Sequence, residues 1–164
     1  MFILDQYFFD RLSEKANPRF RMFFTMTAHV YFLLVLLYIV PCIYALATKN
    51  YLLIVELSLM GGIGGVIGAI LKALILRPRP NNFITYLGKT DSAFPSSHTL
   101  IAVGLAYILS AYFPSLLLVF VLIACLVGLG RIYIQMHYLT DVIGGLLIGL
   151  GIAHLILLVT PLYV

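Results

Sequence analysis

The sequence predicts an all-α integral membrane protein, with about five transmembrane helices in a bundle and an amphipathic helix at the membrane surface before them. Of its 164 residues, 63% are apolar and 10% are charged, and the mean hydropathy is +1.10. A soluble domain of this size cannot hide so much apolar surface from water. We therefore expect residues 1–164 to form a single domain whose main solvent is lipid.

Five apolar segments are long enough to cross a bilayer, which takes about 20 helical residues. They cover residues 22–47, 51–76, 97–112, 115–132 and 140–159, and together they make the predicted bundle of residues 22–159. The third segment is short, so its first turn is predicted to begin below the membrane surface. Tight turns are predicted at residues 48–50 and 113–114, where Pro114 disfavours a continuous helix.

The first 20 residues are predicted to form the surface helix. Apolar residues such as Phe2, Tyr7 and Leu12 recur near helical spacing, and charged residues that include Asp5 and Asp10 stand between them. Such an amphipathic pattern is typical of a helix that lies in the membrane interface. The acidic residues argue against a removable signal peptide.

Small residues within the spans indicate how the helices pack. Glycines cluster in residues 61–68 of the second span and in residues 144–151 of the fifth. Small residues four apart allow helix backbones to approach closely in lipid, so both spans are predicted to pack there. Cys42 and Cys125 lie inside apolar stretches and are predicted to be small core residues.

The formal net charge of +4 would suit nucleic acid or an anionic lipid in a soluble protein, but in a membrane protein the position of the charges decides. We expect no nucleic-acid partner. Because helix direction alternates, four span ends meet on one side of the membrane. The polar residues at these ends are Lys72, Arg77, Arg79, Ser96, Ser97, His98, Arg131, His137 and Asp141. Ionisable groups at membrane depth are costly, so this rim is predicted to be functional.

The chemistry of the rim favours phosphate. Lys72, Arg79 and Arg131 supply three cations, and a guanidinium suits forked contacts to phosphate oxygens. Ser96 is the predicted N-cap of the third span, and a helix start attracts anions through its free N–H groups and its dipole. Ser96 and Ser97 are therefore predicted to help bind phosphate.

A histidine nucleophile is predicted beside these cations. His137 and Asp141 are four residues apart on one helical face, within side-chain reach. A carboxylate bonded to one ring nitrogen would leave the other nitrogen aimed at phosphorus. His98 would then protonate the leaving oxygen.

These residues carry a resemblance to the type-2 phosphatidic acid phosphatase (PAP2) superfamily. The superfamily signature has Lys, six residues, Arg-Pro; then Pro-Ser-Gly-His; then Ser-Arg, five residues, His, three residues, Asp. In this chain it reads Lys72 to Arg79-Pro80, Pro95-Ser96-Ser97-His98, and Gly130-Arg131 to His137 to Asp141. Ser97 replaces the Gly and Gly130 replaces the Ser. The resemblance implies a helical-bundle core, a phosphohistidine at His137, His98 as the acid, Asp141 as the orienting group, and no cofactor.

Other functions fit parts of this pattern. Four histidines suggest a metal, but the cations at the rim repel one, so we expect no metal site. Vanadate-dependent haloperoxidases have a similar site but are generally soluble. A phosphotransferase would pass the phosphate from His137 to a lipid alcohol instead of water. An anion or lipid transporter would use the same pocket without chemistry, but broken helices and paired repeats are not visible.

The expected substrate is a lipid phosphate that stays in the bilayer. The resemblance offers phosphatidylglycerol phosphate, undecaprenyl diphosphate, phosphatidic acid and the 1-phosphate of lipid A. It also suggests a multi-pass protein of the bacterial inner membrane with its site on the extracytoplasmic face. Lys49 is the only one of the ten Lys and Arg residues on the opposite side, a count that by itself favours a cytoplasmic site. The sequence does not indicate an oligomeric state.

Overall fold

The computed structural model describes residues 5, 18–27, 35–80 and 92–160, and within them the regular structure is helical. The helices are α1 (Pro18–Thr27), α2 (Val40–Ala47), α3 (Tyr51–Leu74), α4 (Ser97–Tyr112), α5 (Leu117–Tyr133) and α6 (Leu139–Val159). A π-helical turn, Val35–Ile39, leads into α2, and a 3₁₀ turn, Pro114–Leu116, leads into α5.

The predicted spans correspond closely to these helices. The third matches α4, and the second, fourth and fifth differ from α3, α5 and α6 by one or two residues at an end. Among the described residues, three helical stretches are long and apolar enough to cross a membrane, namely Tyr51–Leu74, Pro114–Tyr133 and Leu139–Val159. Val35–Ala47 and Ser97–Tyr112 are shorter apolar helices. The first span is described at both ends, while its residues 28–34 lie outside the described residues.

The predicted turns also form. Lys49 has a left-handed backbone (φ 58°), and the side-chain oxygen of Asn50 accepts a hydrogen bond from Leu53 N at 3.3 Å, which caps α3. Phe113 ends α4 just before Pro114. The predicted surface helix over residues 1–20 falls almost wholly outside the described residues. Its one described acidic residue, Asp5, is buried rather than exposed at a polar surface.

Helix α4 lies at the centre of the bundle, packed against α3, α5 and α6. Its contact with α6 depends on two glycines four residues apart. A Cβ on Gly145 would stand 2.7 Å from the carbonyl oxygen of Ser96, and one on Gly149 would collide with the carbonyl of Leu100. The prediction of close packing on the fifth span is thereby confirmed at these two glycines, whereas a Cβ on Gly151 would meet nothing within 4 Å in the described part of the chain.

The second span packs through only part of its glycine cluster. Gly64 faces Leu100, and a Cβ on Gly68 would stand 3.2 Å from Ser97 Oγ. A Cβ on Gly61, Gly62 or Gly65 would meet no neighbouring helix within 4 Å in the described part of the chain. This face of α3 turns away from the bundle, so the prediction was wrong for these three residues.

The outer surface is apolar, as a lipid solvent requires. Large side chains such as Leu74, Leu118 and Val159 are at least 70% exposed. Cys125 belongs to this surface because it is exposed, so its predicted place in the core was wrong; Cys42 is half-buried. Together the spans and their apolar exterior define a helical integral membrane protein.

Candidate active site

The predicted rim residues meet at one end of the bundle. The ends of α3 and α5 and the starts of α4 and α6 converge there, and residues 92–96 close the gap before α4. Main-chain hydrogen bonds tie these pieces together: Ala93 N donates to Arg77 O at 2.8 Å, and Ser96 N donates to Asp141 O at 3.0 Å. The local backbone is therefore set by contacts between segments distant in sequence.

His137 is held in the loop between α5 and α6. Its backbone N donates to the carbonyl oxygen of Arg131 at 3.2 Å, and the residue is only 2% exposed. Ring atom Nδ1 lies 2.7 Å from the carbonyl oxygen of Ala93. Because a carbonyl only accepts, Nδ1 carries the proton and Nε2 is left with its lone pair. The ring is thus oriented as a nitrogen nucleophile.

Asp141 does not play the predicted part in this orientation. Its Oδ2 lies 3.8 Å from His137 Nδ1, too far for a hydrogen bond. Oδ2 instead accepts from the backbone N of Tyr138 at 2.8 Å in a capping box that begins α6, and Oδ1 accepts from Arg77 Nη1 at 2.5 Å. The predicted hydrogen bond from His137 to Asp141 was wrong, because the carboxylate instead accepts hydrogen bonds from Tyr138 N at the start of α6 and from Arg77. Asp141 Oδ2 nevertheless stays within 3.8 Å of the ring, where it favours the charged form of His137.

Arg77 joins three polar residues into a buried group, here called the Arg77 cluster: Asp5, Arg77, Thr140 and Asp141. Arg77 Nη2 donates to Asp5 Oδ2 at 2.6 Å, and Nη1 also donates to Thr140 Oγ1 at 2.7 Å. Asp5 accepts in addition from the backbone N of Thr140 at 3.1 Å and from its hydroxyl at 2.8 Å. One cation and two carboxylates therefore connect Asp5 to the start of α6, which follows the loop that carries His137.

The three predicted phosphate-binding cations surround the two histidines. The charges of Lys72, Arg79 and Arg131 all act on both His98 and His137. Arg79 and Arg131 are each 8% exposed. Arg131 Nε is buried and makes no hydrogen bond to any residue that the structure describes. Lys72 Nζ donates to the carbonyl oxygen of Ser92 at 2.7 Å, which directs the end of α3 towards the loop before α4.

This surrounding sets the protonation of His137. Burial is the largest cause that holds its pKa below the usual range, because a charged imidazole loses solvation. Asp141 opposes this shift, while Arg131, Arg79 and Lys72 lower the pKa further. His137 is therefore neutral at physiological pH, the form that can attack phosphorus.

The start of α4 completes the site. Ser96 is the N-cap residue as predicted, but its side chain makes no capping bond; its Oγ instead accepts from Thr99 Oγ1 at 3.0 Å. Ser97 and His98 occupy the first turn, where backbone N–H groups have no partner within the helix. The side chain of Ser97 lies against Gly68 of α3, which leaves room for a residue larger than the Gly of the signature.

Sequence reasoning missed two parts of this arrangement. The carbonyl of Ala93 is a backbone group with no signal in the sequence. Arg77 was predicted at the rim without a role, and Asp5 was assigned to a surface helix. The only sequence signal for Asp5 was its place as an acidic residue among apolar neighbours. That signal does not indicate a partner that is distant in sequence.

The fold and site define a membrane-embedded helical bundle in which two histidines lie under the charges of three cations at one end. The chain matches the PAP2 superfamily over residues 51–163. It belongs to that superfamily.

Relatives and solved structures agree with this membership. The chain is 33% identical over 109 residues to phosphatidylglycerophosphatase B of Bacillus subtilis, covering 60% of this chain and 53% of that protein. It is 36% identical over 96 residues to an undecaprenyl-diphosphatase of Sulfolobus acidocaldarius, covering 55% of this chain and 47% of that protein. The chain therefore spans about half the length of these curated relatives.

Two crystal structures share the fold over most of the chain. The transmembrane PAP2-type phosphatidylglycerolphosphate phosphatase of Bacillus subtilis has a TM-score of 0.75 and 26% identity, covering 93% of this chain and 82% of that one. LpxE of Aquifex aeolicus has a TM-score of 0.77 and 27% identity, covering 95% and 96%. These structures and the apolar helices place the chain among bacterial membrane proteins.

Proposed function

We propose that this chain is a lipid phosphatase that works through a phosphohistidine at His137 and needs no metal. The observation that carries the proposal is the orientation of the His137 ring. Its Nδ1–H is directed to Ala93 O at 2.7 Å, so the lone pair of Nε2 is the free one, and three cations act on the same ring. This is the arrangement that nucleophilic attack on a phosphate requires.

In the first step, Nε2 of His137 attacks phosphorus, the P–N bond forms, and the bond to the lipid oxygen breaks. Lys72, Arg79 and Arg131 neutralise the charge on the other phosphate oxygens, assisted by the N–H groups of Ser97 and His98 at the start of α4. Asp141 stabilises the positive imidazole of the phosphohistidine by its charge, with Oδ2 3.8 Å from Nδ1.

His98 supplies the proton for the leaving lipid oxygen. In the second step, the neutral His98 takes a proton from water as that water attacks phosphorus, the P–N bond breaks, and inorganic phosphate leaves. The same three cations act on both histidines and disfavour the charged form of each, so the negative charge of the bound phosphate must offset them for His98 to hold the proton that it donates. His137 and His98 are thus the nucleophile and the acid-base of the proposed cycle, in agreement with the roles that the superfamily resemblance implies.

The substrate is a lipid monophosphate or diphosphate whose hydrocarbon stays in the membrane. Phosphatidylglycerol phosphate and undecaprenyl diphosphate are supported by the names of the relatives; phosphatidic acid and the 1-phosphate of lipid A remain candidates by family. We place the protein in the bacterial inner membrane with its site on the extracytoplasmic face, where basic residues gather anionic headgroups. Reporters sensitive to the periplasm, fused to each terminus, test this side.

The test of function measures phosphate release by the purified protein from a panel of these four lipids. His137→Ala should reduce release to the uncatalysed rate while the protein still folds. His98→Ala should slow an alkyl phosphate by roughly 10²- to 10⁴-fold, because an alkoxide leaves poorly without a proton. It should slow a nitrophenyl phosphate much less, since that leaving group needs little protonation.

Other outcomes separate the rival functions. Binding of lipid phosphates without release of phosphate would indicate a transporter. Release that requires an added lipid alcohol, with the label recovered on that alcohol, would indicate a phosphotransferase. Chelators should leave turnover intact, whereas vanadate should inhibit by adopting the geometry of the transferring phosphoryl group. Loss of turnover in a chelator, restored by a divalent ion, would contradict the metal-free mechanism.

A further inference from the structure

An apolar groove of about 650 Å³ lies between α5 and α6. Both helices pack along α4, but they make little contact with each other, so the surface of α4 forms the floor between them. The groove runs along α5 from Leu117 to Ile132, about 22 Å at the helical rise per residue. One monolayer of hydrocarbon is about 15 Å thick. The groove therefore extends beyond the middle of the membrane.

One end of the groove joins the candidate active site. Thr99 lines it and donates a hydrogen bond to Ser96 Oγ at 3.0 Å. Ile132 and Val142 also line it, and they are the chain neighbours of Arg131 and Asp141. A molecule whose phosphate lies at the start of α4 would thus have one end of the groove one residue contact away, across the Thr99–Ser96 hydrogen bond.

The groove presents hydrocarbon although three of its lining residues are polar. The hydroxyl of Thr99 is used on Ser96, that of Tyr107 forms a hydrogen bond with His154 Nδ1 at 3.1 Å, and that of Ser110 donates to Ala106 O at 2.7 Å. These hydroxyls already have hydrogen-bond partners and therefore do not need a polar ligand. What the lining can accept is an apolar chain.

A second apolar groove on the outer face of α3 shows what is special about the first. Its described lining comes from α3 alone, between Ile54 and Ile67. The candidate site residues themselves line neither groove, but Thr99 of the first groove bonds to one of them, whereas the hydroxyl of Ser58 in the second bonds to Tyr38 and Ile54. Lipid tails can cover both surfaces. Of these two grooves, the one between α5 and α6 reaches the start of α4, where its lining residue Thr99 bonds to Ser96.

From this continuity we infer that the groove between α5 and α6 seats one hydrocarbon tail of the substrate while its phosphate lies at His137. The inference rests on the proposed phosphatase function and adds the tail-binding surface to it. A single long groove fits one extended acyl or prenyl chain. Turnover should accordingly depend on the length of that chain.

Cys125 provides the test because it is exposed and lines the groove. We would compare Cys125→Trp with Val66→Trp, an equally bulky change at an exposed residue of the groove on α3. The substrates are phosphatidic acid, phosphatidylglycerol phosphate and prenyl diphosphate, each with a short and a long chain. Cys125→Trp should lower the ratio of long-chain to short-chain kcat/KM by roughly tenfold, the equivalent of about 1.4 kcal/mol. Val66→Trp should leave this ratio unchanged.

A second measurement works even if Cys125→Trp does not fold. In the Cys42→Ala protein, a long-chain alkyl phosphonate should slow the reaction of Cys125 with a maleimide, and a short-chain phosphonate of the same headgroup should not. Equal protection by both phosphonates, or an equal ratio of kcat/KM in both Trp variants, would overturn the groove assignment. No phosphate release by the unmodified protein from any substrate would overturn the proposed function itself, and the inference with it.

Discussion

The two ends of the bundle bury polar groups in different ways. At the end away from the site, Glu56 is fully buried and its Oε1 accepts from Thr160 Oγ1 at 2.6 Å. The end of α6 therefore supplies the donor to this carboxylate. At the site end, both described carboxylates bind Arg77, and Arg131 forms no ion pair within the described part of the chain.

This difference teaches which polar groups serve the fold and which serve a ligand. Glu56 is a single buried carboxylate that one hydroxyl contacts, and its Oε2 has no bonded partner in the described residues either. Arg131 differs because it belongs to a group of three cations that act on both histidines. A buried guanidinium whose Nε has no bonded partner in the described residues destabilises the fold unless an anion arrives. Substitutions at the two ends should therefore separate activity from stability.

The largest effect is expected at Arg131. Arg131→Met should lower kcat/KM by about 10²- to 10³-fold, as the removal of one donor to a transition-state oxygen does, without loss of stability, because it removes an unsatisfied buried cation. Lys49→Met, at the other end, is the control and should retain full turnover. If Arg131→Met were destabilised enough to explain its lost activity, Arg131 would serve the fold as well. The two ends of the bundle would then not differ in the proposed way.

A matched pair of threonines tests the fold side of the comparison. Thr160→Val leaves Glu56 without its donor and should reduce the free energy of unfolding by about 1–3 kcal/mol, with kcat/KM of the folded protein unchanged. Thr140→Val makes the same change in the Arg77 cluster and should lower kcat/KM. Thermal unfolding in detergent and phosphate release measure the two effects. A larger change in kcat/KM for Thr160→Val than for Thr140→Val would contradict the comparison.

The smallest effect concerns pH. The acid limb of the kcat/KM profile reports the pKa of His137, since only the neutral ring attacks. Arg77→Gln leaves the charge of Asp141 uncompensated, which favours the imidazolium and raises that pKa. Activity should therefore be lost at a higher pH as the solution is acidified, with a shift of roughly one unit or less.

Two further variants control for simple damage to the loop. Arg77→Lys keeps the cation and should leave the acid limb in place. Asp5→Asn removes a negative charge from the cluster, so its limb should move to lower pH. The other charges that act on His137 come from Arg131, Arg79 and Lys72 and are unchanged in all three proteins. If the acid limb of the kcat/KM profile shifted in the same direction in Arg77→Gln and Asp5→Asn, the electrostatic explanation would be excluded.

The helices and the cationic rim could be predicted because their signals are local. Apolar runs set the spans to within a few residues, and α4 has the predicted bounds. Alternating helix direction then brings Lys72, His98 and His137 to the same end. The roles assigned to these residues remain proposals, but their convergence follows from the order of the spans alone.

The rest could not be predicted because it depends on packing between distant segments. Asp5 and Thr140 meet across 135 positions of sequence, and the partner of the His137 ring is a backbone carbonyl. Asp141 stands at the expected spacing, yet its carboxylate is taken by Arg77 and the cap of α6. The groove between α5 and α6 exists because these two helices make little contact with each other. The sequence pattern of either helix alone does not predict that separation.

The configuration at phosphorus tests the central claim most directly, because the mechanism requires two displacements. A lipid phosphate made chiral with sulfur and oxygen isotopes would be hydrolysed by the purified protein in labelled water, and the configuration of the released thiophosphate determined. Each in-line attack inverts phosphorus, so attack by His137 followed by attack by water should give retention. Inversion would show that water attacks the lipid phosphate in a single step and would contradict a phosphohistidine at His137.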